Sequence, residues 1–142
     1  VAPPVPELPI QVLLVEDNPI NQKLALRILG KWGCTVETAE NGRIAVEKRR
    51  AGTFDVVLMD CQMPEMNGYE ATQAIRTEEA EGGRRVPIIA MTANAMKGDR
   101  EYCLSVGMDD YIAKPIQLPE LKKRLEKVLA GGYAQPDVDQ AA

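Results

Sequence analysis

With 142 residues, 45% of them hydrophobic and 27% charged, the chain has material for one compact domain with its own core and little beyond it. A formal net charge of -4 creates no field that favours nucleic-acid phosphates or anionic lipid, so neither is expected as a direct partner. The chain contains no histidine, which excludes Ser-His-Asp and Cys-His catalysis, histidine metal ligation and any phosphohistidine step within it.

The opening "VAPPVPELP" (1–9) reads as an extended proline-rich linker, and the chain, which does not start with methionine, as a piece of a longer protein. "IQVLLV" (10–15) is a continuous apolar run, predicted as a strand buried on both faces. Asn18 then caps a helix with Pro19 in its first turn, and Leu24, Ala25, Ile28, Leu29 and Trp32 are expected to share its inner face until Gly33 ends it. "CTVETA" (34–39) is the second strand, Asn41 and Gly42 turn the chain, and 43–51 form a helix. "FDVVLMD" (54–60) is the third strand and the most apolar.

Asn67 and Gly68 open a helix expected to run to about Thr77, and "EAEGGRR" (79–85) reads as a surface loop. "VPIIAMT" (86–92) is the fourth strand, 95–105 a helix ended by Gly107, and "DYIA" (110–113) a short fifth strand. The last helix, 117–130, is expected to turn Leu118, Leu121, Leu125, Val128 and Leu129 inward and "KKR" (122–124) to solvent. From Gly131 the chain reads as a loose tail, which puts the folded unit at 10–130 and the tail at 131–142. Strands alternating with helices predict an α/β fold, a parallel sheet covered on both faces.

Neither a membrane span nor a signal peptide is visible, so a soluble cytoplasmic domain without membrane contact is the expectation. Cys34, Cys61 and Cys103 are odd in number and widely spaced, which suits reduced thiols rather than a disulfide framework or a zinc site.

Parallel strands joined by right-handed crossovers bring their C-terminal ends to one edge, where open α/β sheets place ligands. At that edge the sequence puts Glu16 and Asp17, then Asp60, Thr92, and Lys114 with Pro115. Three close carboxylates repel one another unless a cation intervenes, and oxygen ligands alone suit Mg²⁺. Asp17 and Asp60 are the expected direct ligands, the Gln62 main-chain carbonyl a third, and Glu16 one acting through water. Asp60 can then serve as a nucleophile toward a phosphoryl group, with Lys114 and Thr92 holding its remaining oxygens. Taken singly, each residue has a plainer explanation, as a turn cap, a loop acid, a strand-end hydroxyl or a surface charge.

The stretches "VLLVEDNPINQ", "DVVLMDCQMPEMNGYEA", "PIIAMTANAM" and "GMDDYIAKPI" together resemble the receiver domain of two-component response regulators, most closely the receivers of hybrid sensor histidine kinases. The resemblance spans about residues 10 to 130. It implies a flavodoxin-like, doubly wound five-stranded sheet in the order 2-1-3-4-5, for which receivers are a standing example. It implies that Asp60 accepts a phosphoryl group from a histidine on a partner, a histidine kinase or histidine phosphotransfer domain, with Glu16 and Asp17 binding Mg²⁺. It implies further that Thr92 and Tyr111 form a switch pair and that the Lys114–Pro115 peptide is cis. Asn67 stands where the family more often has aspartate, and both residues suit the turn before Gly68.

A free-standing receiver is the alternative within this class, and dimerisation is left open. The isolated domain would show at most self-phosphorylation and autodephosphorylation. From another class, an aspartyl-nucleophile phosphatase of the haloacid dehalogenase type would want an aspartate as general acid two residues after Asp60, where Gln62 stands. A pure interaction module would leave the carboxylates, Thr92 and Lys114 without a task. Ile20 at the margin of the first helix's apolar stripe and Leu26 off it are expected to be exposed and to dock a four-helix phosphotransfer or kinase dimerisation domain.

Overall fold

In the computed structural model the described residues are 8–61, 66–82, 84–93 and 97–133, the backbone alone being described at 97–99. The elements alternate throughout: β1 (Gln11–Val15), α1 (Pro19–Lys31), β2 (Thr35–Ala39), α2 (Gly42–Ala51), β3 (Val56–Asp60), α3 (Gly68–Ala80), β4 (Ile88–Thr92), α4 (Lys97–Ser105), β5 (Asp110–Ala113) and α5 (Leu118–Leu129). All strand pairs are parallel and the order is β2-β1-β3-β4-β5, the flavodoxin-like arrangement. Chain reversal beside β1 places its C-terminal end next to that of β3, with Val15 in register with Met59.

Period-two alternation divides the strand side chains between two cores. Val12, Leu14, Val56, Leu58, Ile89 and Met91 pack against Leu29 of α1 and Leu121 and Leu125 of α5. Leu13, Val15, Val57, Met59, Ile88 and Ala90 pack against α2, α3 and α4 through residues such as Val46, Ile75 and Cys103. β3 and β4 are buried at every position because both faces are covered, whereas the edge strand β2 alternates exposed and half-buried residues before ending on the buried Ala39. Full burial of each large aliphatic side chain contributes about 1.5–3 kcal/mol. Among the described residues, no helix is long and apolar enough to cross a membrane.

Several details differ from the sequence expectation. Leu24 is 58% exposed because it lies roughly 90° from the centre of the stripe formed by Ala25, Ile28, Leu29 and Trp32, too far round to reach the sheet. Leu118 and Leu129, 45% and 49% exposed, are the first and last residues of α5, at the ends of the helix beyond the buried Leu121 and Leu125. α3 runs past Thr77 to Ala80, since nothing breaks it before Gly82, whose φ is +125°. The core also reaches beyond residues 10 and 130. Leu8 is 1% exposed with its N–H donating to the Trp32 carbonyl at 2.7 Å, and Tyr133 is 8% exposed.

Candidate functional site

Each residue at the C-terminal edge is set there by local chemistry. After β1, the Glu16 N–H donates to the Ala39 carbonyl at 3.0 Å, which carries the carboxylate just beyond the sheet. Asn18 ends this excursion by accepting from the N–H groups of Ile20 and Asn21, with Pro19 opening α1. Gln22, one turn on, donates its side-chain amide to the Glu16 carbonyl at 2.5 Å. The strand-to-helix turn is thus fixed from both sides.

Asp60 closes β3 and is 4% exposed, Thr92 closes β4 at 4%, and Glu16 is 3% exposed, while Asp17 faces solvent. The Lys114 N–H donates to the Thr92 carbonyl at 2.8 Å, and the peptide from Lys114 to Pro115 is cis. Lys114 Nζ stands 3.2 Å from Asp60 Oδ2 and 3.5 Å from Glu16 Oε1. Glu16, Asp17, Asp60, Thr92 and Lys114 all line one cleft of about 430 Å³, and Asn21 stands on its wall as well. The structure therefore brings together five of the residues read from the sequence. Gln62 lies outside the described residues.

One lysine does not balance three carboxylates. Burial, together with the hydrogen bond and charge of Asp60, pushes the Glu16 carboxyl up to about 7, against the opposing pull of Lys114 and Asn21. One oxygen from each of Glu16, Asp17 and Asp60 lies within 4.8 Å of the others, and Glu16 Oε2 is buried without a hydrogen-bond partner. An all-oxygen, anion-rich cluster with an orphaned buried oxygen fits a hard divalent cation such as Mg²⁺.

Tyr111 pairs in register with Ala90, and Thr92 with Ala113, so by strand alternation both side chains belong to the sheet face covered by α3 and α4. The Tyr111 ring is half-buried, with the Arg100 guanidinium 5.6 Å from its centroid. On α1, Ile20 is 75% and Leu26 37% exposed, on opposite flanks of the helix; Leu24 lies beside Ile20.

Two contributors were not read from the sequence. Gln22 has no signal beyond an amide six residues after a strand-end acid. Gly68 reads as a turn residue, yet a Cβ there would lie 2.3 Å from the Asp60 carbonyl oxygen, so the start of α3 approaches the acceptor strand as only glycine allows.

The chain is thus an α/β module whose flavodoxin-like sheet carries an acidic, lysine-bearing cleft at its switch-point edge. The family model described as "Response regulator receiver domain" matches residues 12–126, and the chain belongs to that family. Hybrid signal transduction histidine kinase I of Dictyostelium discoideum is 47% identical over 114 residues, covering 77% of this chain and 7% of that protein. The chain spans between 3% and 15% of the length of seven further histidine kinases and sensor proteins, and so corresponds to a small part of each.

Among the solved structures that are similar, two match most of the chain. The receiver domain of sensor histidine kinase PA1611 from Pseudomonas aeruginosa PAO1, which has magnesium coordinated in its active-site cleft, is 46% identical with a TM-score of 0.77, covering 85% of this chain and 98% of that one. The receiver domain of the Saccharomyces cerevisiae response regulator Ssk1, crystallised with the histidine phosphotransfer protein Ypd1, gives a TM-score of 0.82 at 34% identity over 91% of this chain and 94% of that one.

Proposed function

We propose that Asp60 accepts a phosphoryl group from a phosphohistidine on a histidine kinase or histidine phosphotransfer domain, and that the chain is the receiver of a hybrid sensor histidine kinase. The observation that carries this reading is the placement of Asp60, buried at the end of β3 with the Lys114 ammonium 3.2 Å away and the carboxylates of Glu16 and Asp17 alongside. In the transfer an Asp60 carboxylate oxygen forms a bond to phosphorus as the bond from phosphorus to the imidazole nitrogen breaks, and that nitrogen keeps the electron pair. Lys114 holds a phosphoryl oxygen by charge, and the Thr92 hydroxyl donates to another. Glu16, Asp17 and Asp60, with the Gln62 carbonyl, would hold Mg²⁺; the bound ion offsets negative charge between acceptor and donor.

The new charge of about -1.5 to -2 then biases Thr92 and, behind it, Tyr111 on the adjacent strand. The partner docks on α1, at the exposed Ile20 with Leu24 beside it and Leu26 on the other flank; the complex of the similar Ssk1 receiver with Ypd1 supports a phosphotransfer protein in this role. We place the domain in the cytoplasm, or on the cytoplasmic side of a membrane-bound kinase, as three widely spaced cysteines, an odd number, suit thiols kept reduced.

Intact mass after incubation with acetyl phosphate and Mg²⁺ tests the acceptor. A single phosphoryl adduct on the wild type, absent from Asp60→Asn and absent without metal, is expected. An adduct that persists in Asp60→Asn excludes Asp60 as the acceptor, and steady hydrolysis of small phosphate esters would favour the phosphatase reading.

A further inference from the structure

The chain does not leave the fold at the end of α5. Gly131 takes a φ of +77°, and the N–H groups of Gly131 and Gly132 donate to the carbonyls of Val128 and Lys127 at 3.0 and 2.8 Å. A Cβ on Gly132 would lie 2.5 Å from Lys127 Cγ, so the two glycines allow a close reversal. The reversal delivers the Tyr133 ring into the core beneath α1 and α5, with Lys127 Nζ 4.3 Å from its centroid.

There the Tyr133 hydroxyl donates to Asp110 Oδ2, an oxygen that Arg124 Nε also approaches at 3.5 Å. The other oxygen, Asp110 Oδ1, accepts from the Tyr111 N–H at 2.8 Å. Burial and the Asp110 charge raise the Tyr133 phenol well above its ordinary range, so it stays protonated and donating. Asp110 is the first residue of β5, the strand that carries Tyr111 and leads into Lys114. One carboxylate thus joins the chain's exit to the strand that serves the acceptor cleft.

We infer that Tyr133 is a latch: through Asp110 it holds the start of β5 in its unphosphorylated arrangement, so that the chain leaving the domain and the state of Asp60 are coupled. This rests on the phosphoacceptor reading above. The Tyr111 N–H donates to the latched Asp110 carboxylate, so the latch opposes any rearrangement of Tyr111 that moves the backbone at 110–111. Coupling is reciprocal, so loading Asp60 loosens the exit segment, and releasing the exit segment favours loading.

The test uses Tyr133→Phe, which keeps the ring in the core and removes the hydroxyl. The variant's initial rate of Mg²⁺-dependent phosphorylation by acetyl phosphate is expected to rise roughly threefold to tenfold, the equivalent of one hydrogen bond. In the wild type, phosphorylation is expected to speed amide exchange at Gly131 and Gly132. A folded variant with an unchanged or lower rate, or equal exchange in free and loaded wild type, overturns the latch; a residue that only supports the core would lower the melting temperature and leave both readouts alone. An adduct on both proteins at one rate sinks the latch alone. No adduct on either sinks the phosphoacceptor reading, and the latch with it.

Discussion

Lys114 sits between two buried carboxylates, 3.2 Å from Asp60 and 3.5 Å from Glu16, and so partly neutralises a cluster whose acids would otherwise repel one another at close range. Replacing it by methionine keeps the stem and removes the charge. Because the side chain is 26% exposed, the loss should fall below that of a fully buried pair, about 1–3 kcal/mol in metal-free buffer by urea denaturation. The same variant should take a phosphoryl group from acetyl phosphate at least ~10-fold more slowly, since charge stabilisation of the transferring group is lost. Unchanged stability and rate would remove Lys114 from the site. The residues of this cluster were legible because each directly follows an apolar run, and a parallel sheet must bring such positions to one edge. Gln22 and Gly68 were not: what each does depends on a backbone atom supplied by another element, the Glu16 carbonyl for one and the Asp60 carbonyl for the other.

Helix starts were readable for a similar reason: caps are local chemistry. Asn18, Asn41 and Asn67 all accept from N–H groups of the first turn, and Asn67 forms a reciprocal capping box with Glu70. Inner faces were harder to read, as α1 shows. Its sequence offers more apolar residues than the sheet has room for, and only geometry decides that Ala25, Leu29 and Trp32 are turned in while Leu24 is left out beside Ile20. The surplus gives the docking proposal its test. Ile20→Ala combined with Leu24→Ala should slow phosphotransfer from the cognate partner by ~10-fold or more, the loss expected of a small hydrophobic contact. Leu26→Ala alone, on the opposite flank, should cost less. Both variants should react with acetyl phosphate like the wild type, because the cleft is untouched. Equal partner rates would rule out this face of α1.

At the level of the whole molecule, two charge clusters occupy the two ends of the sheet and do opposite things. At the N-terminal end Arg76 donates to Asp109 and Glu79, each at 2.7 Å, and to the carbonyls of Val86 and Gly107, stitching α3 to the starts of β4 and β5. No sequence pattern announces that network, since its members are brought together only by the completed fold. At the C-terminal end the charges do not balance, and stability should record the imbalance. With Glu16 raised from 4.5 to about 7, the native state binds more protons than the unfolded chain between those values. Its contribution is therefore fully present below pH 4.5 and is lost as pH rises through about 7. In the presence of a chelator, the melting temperature should fall across that window. Asp60→Asn should flatten the fall, because Asp60 is one of the causes of the shift. Millimolar Mg²⁺ should raise the melting temperature more near and above pH 7, where the Glu16 carboxyl gives up its proton, than near pH 4.5. Thermal unfolding at several pH values, with chelator and with Mg²⁺, separates these terms. A metal-induced rise of equal size at pH 4.5 and pH 8 would show that the cation's effect does not depend on the Glu16 carboxylate.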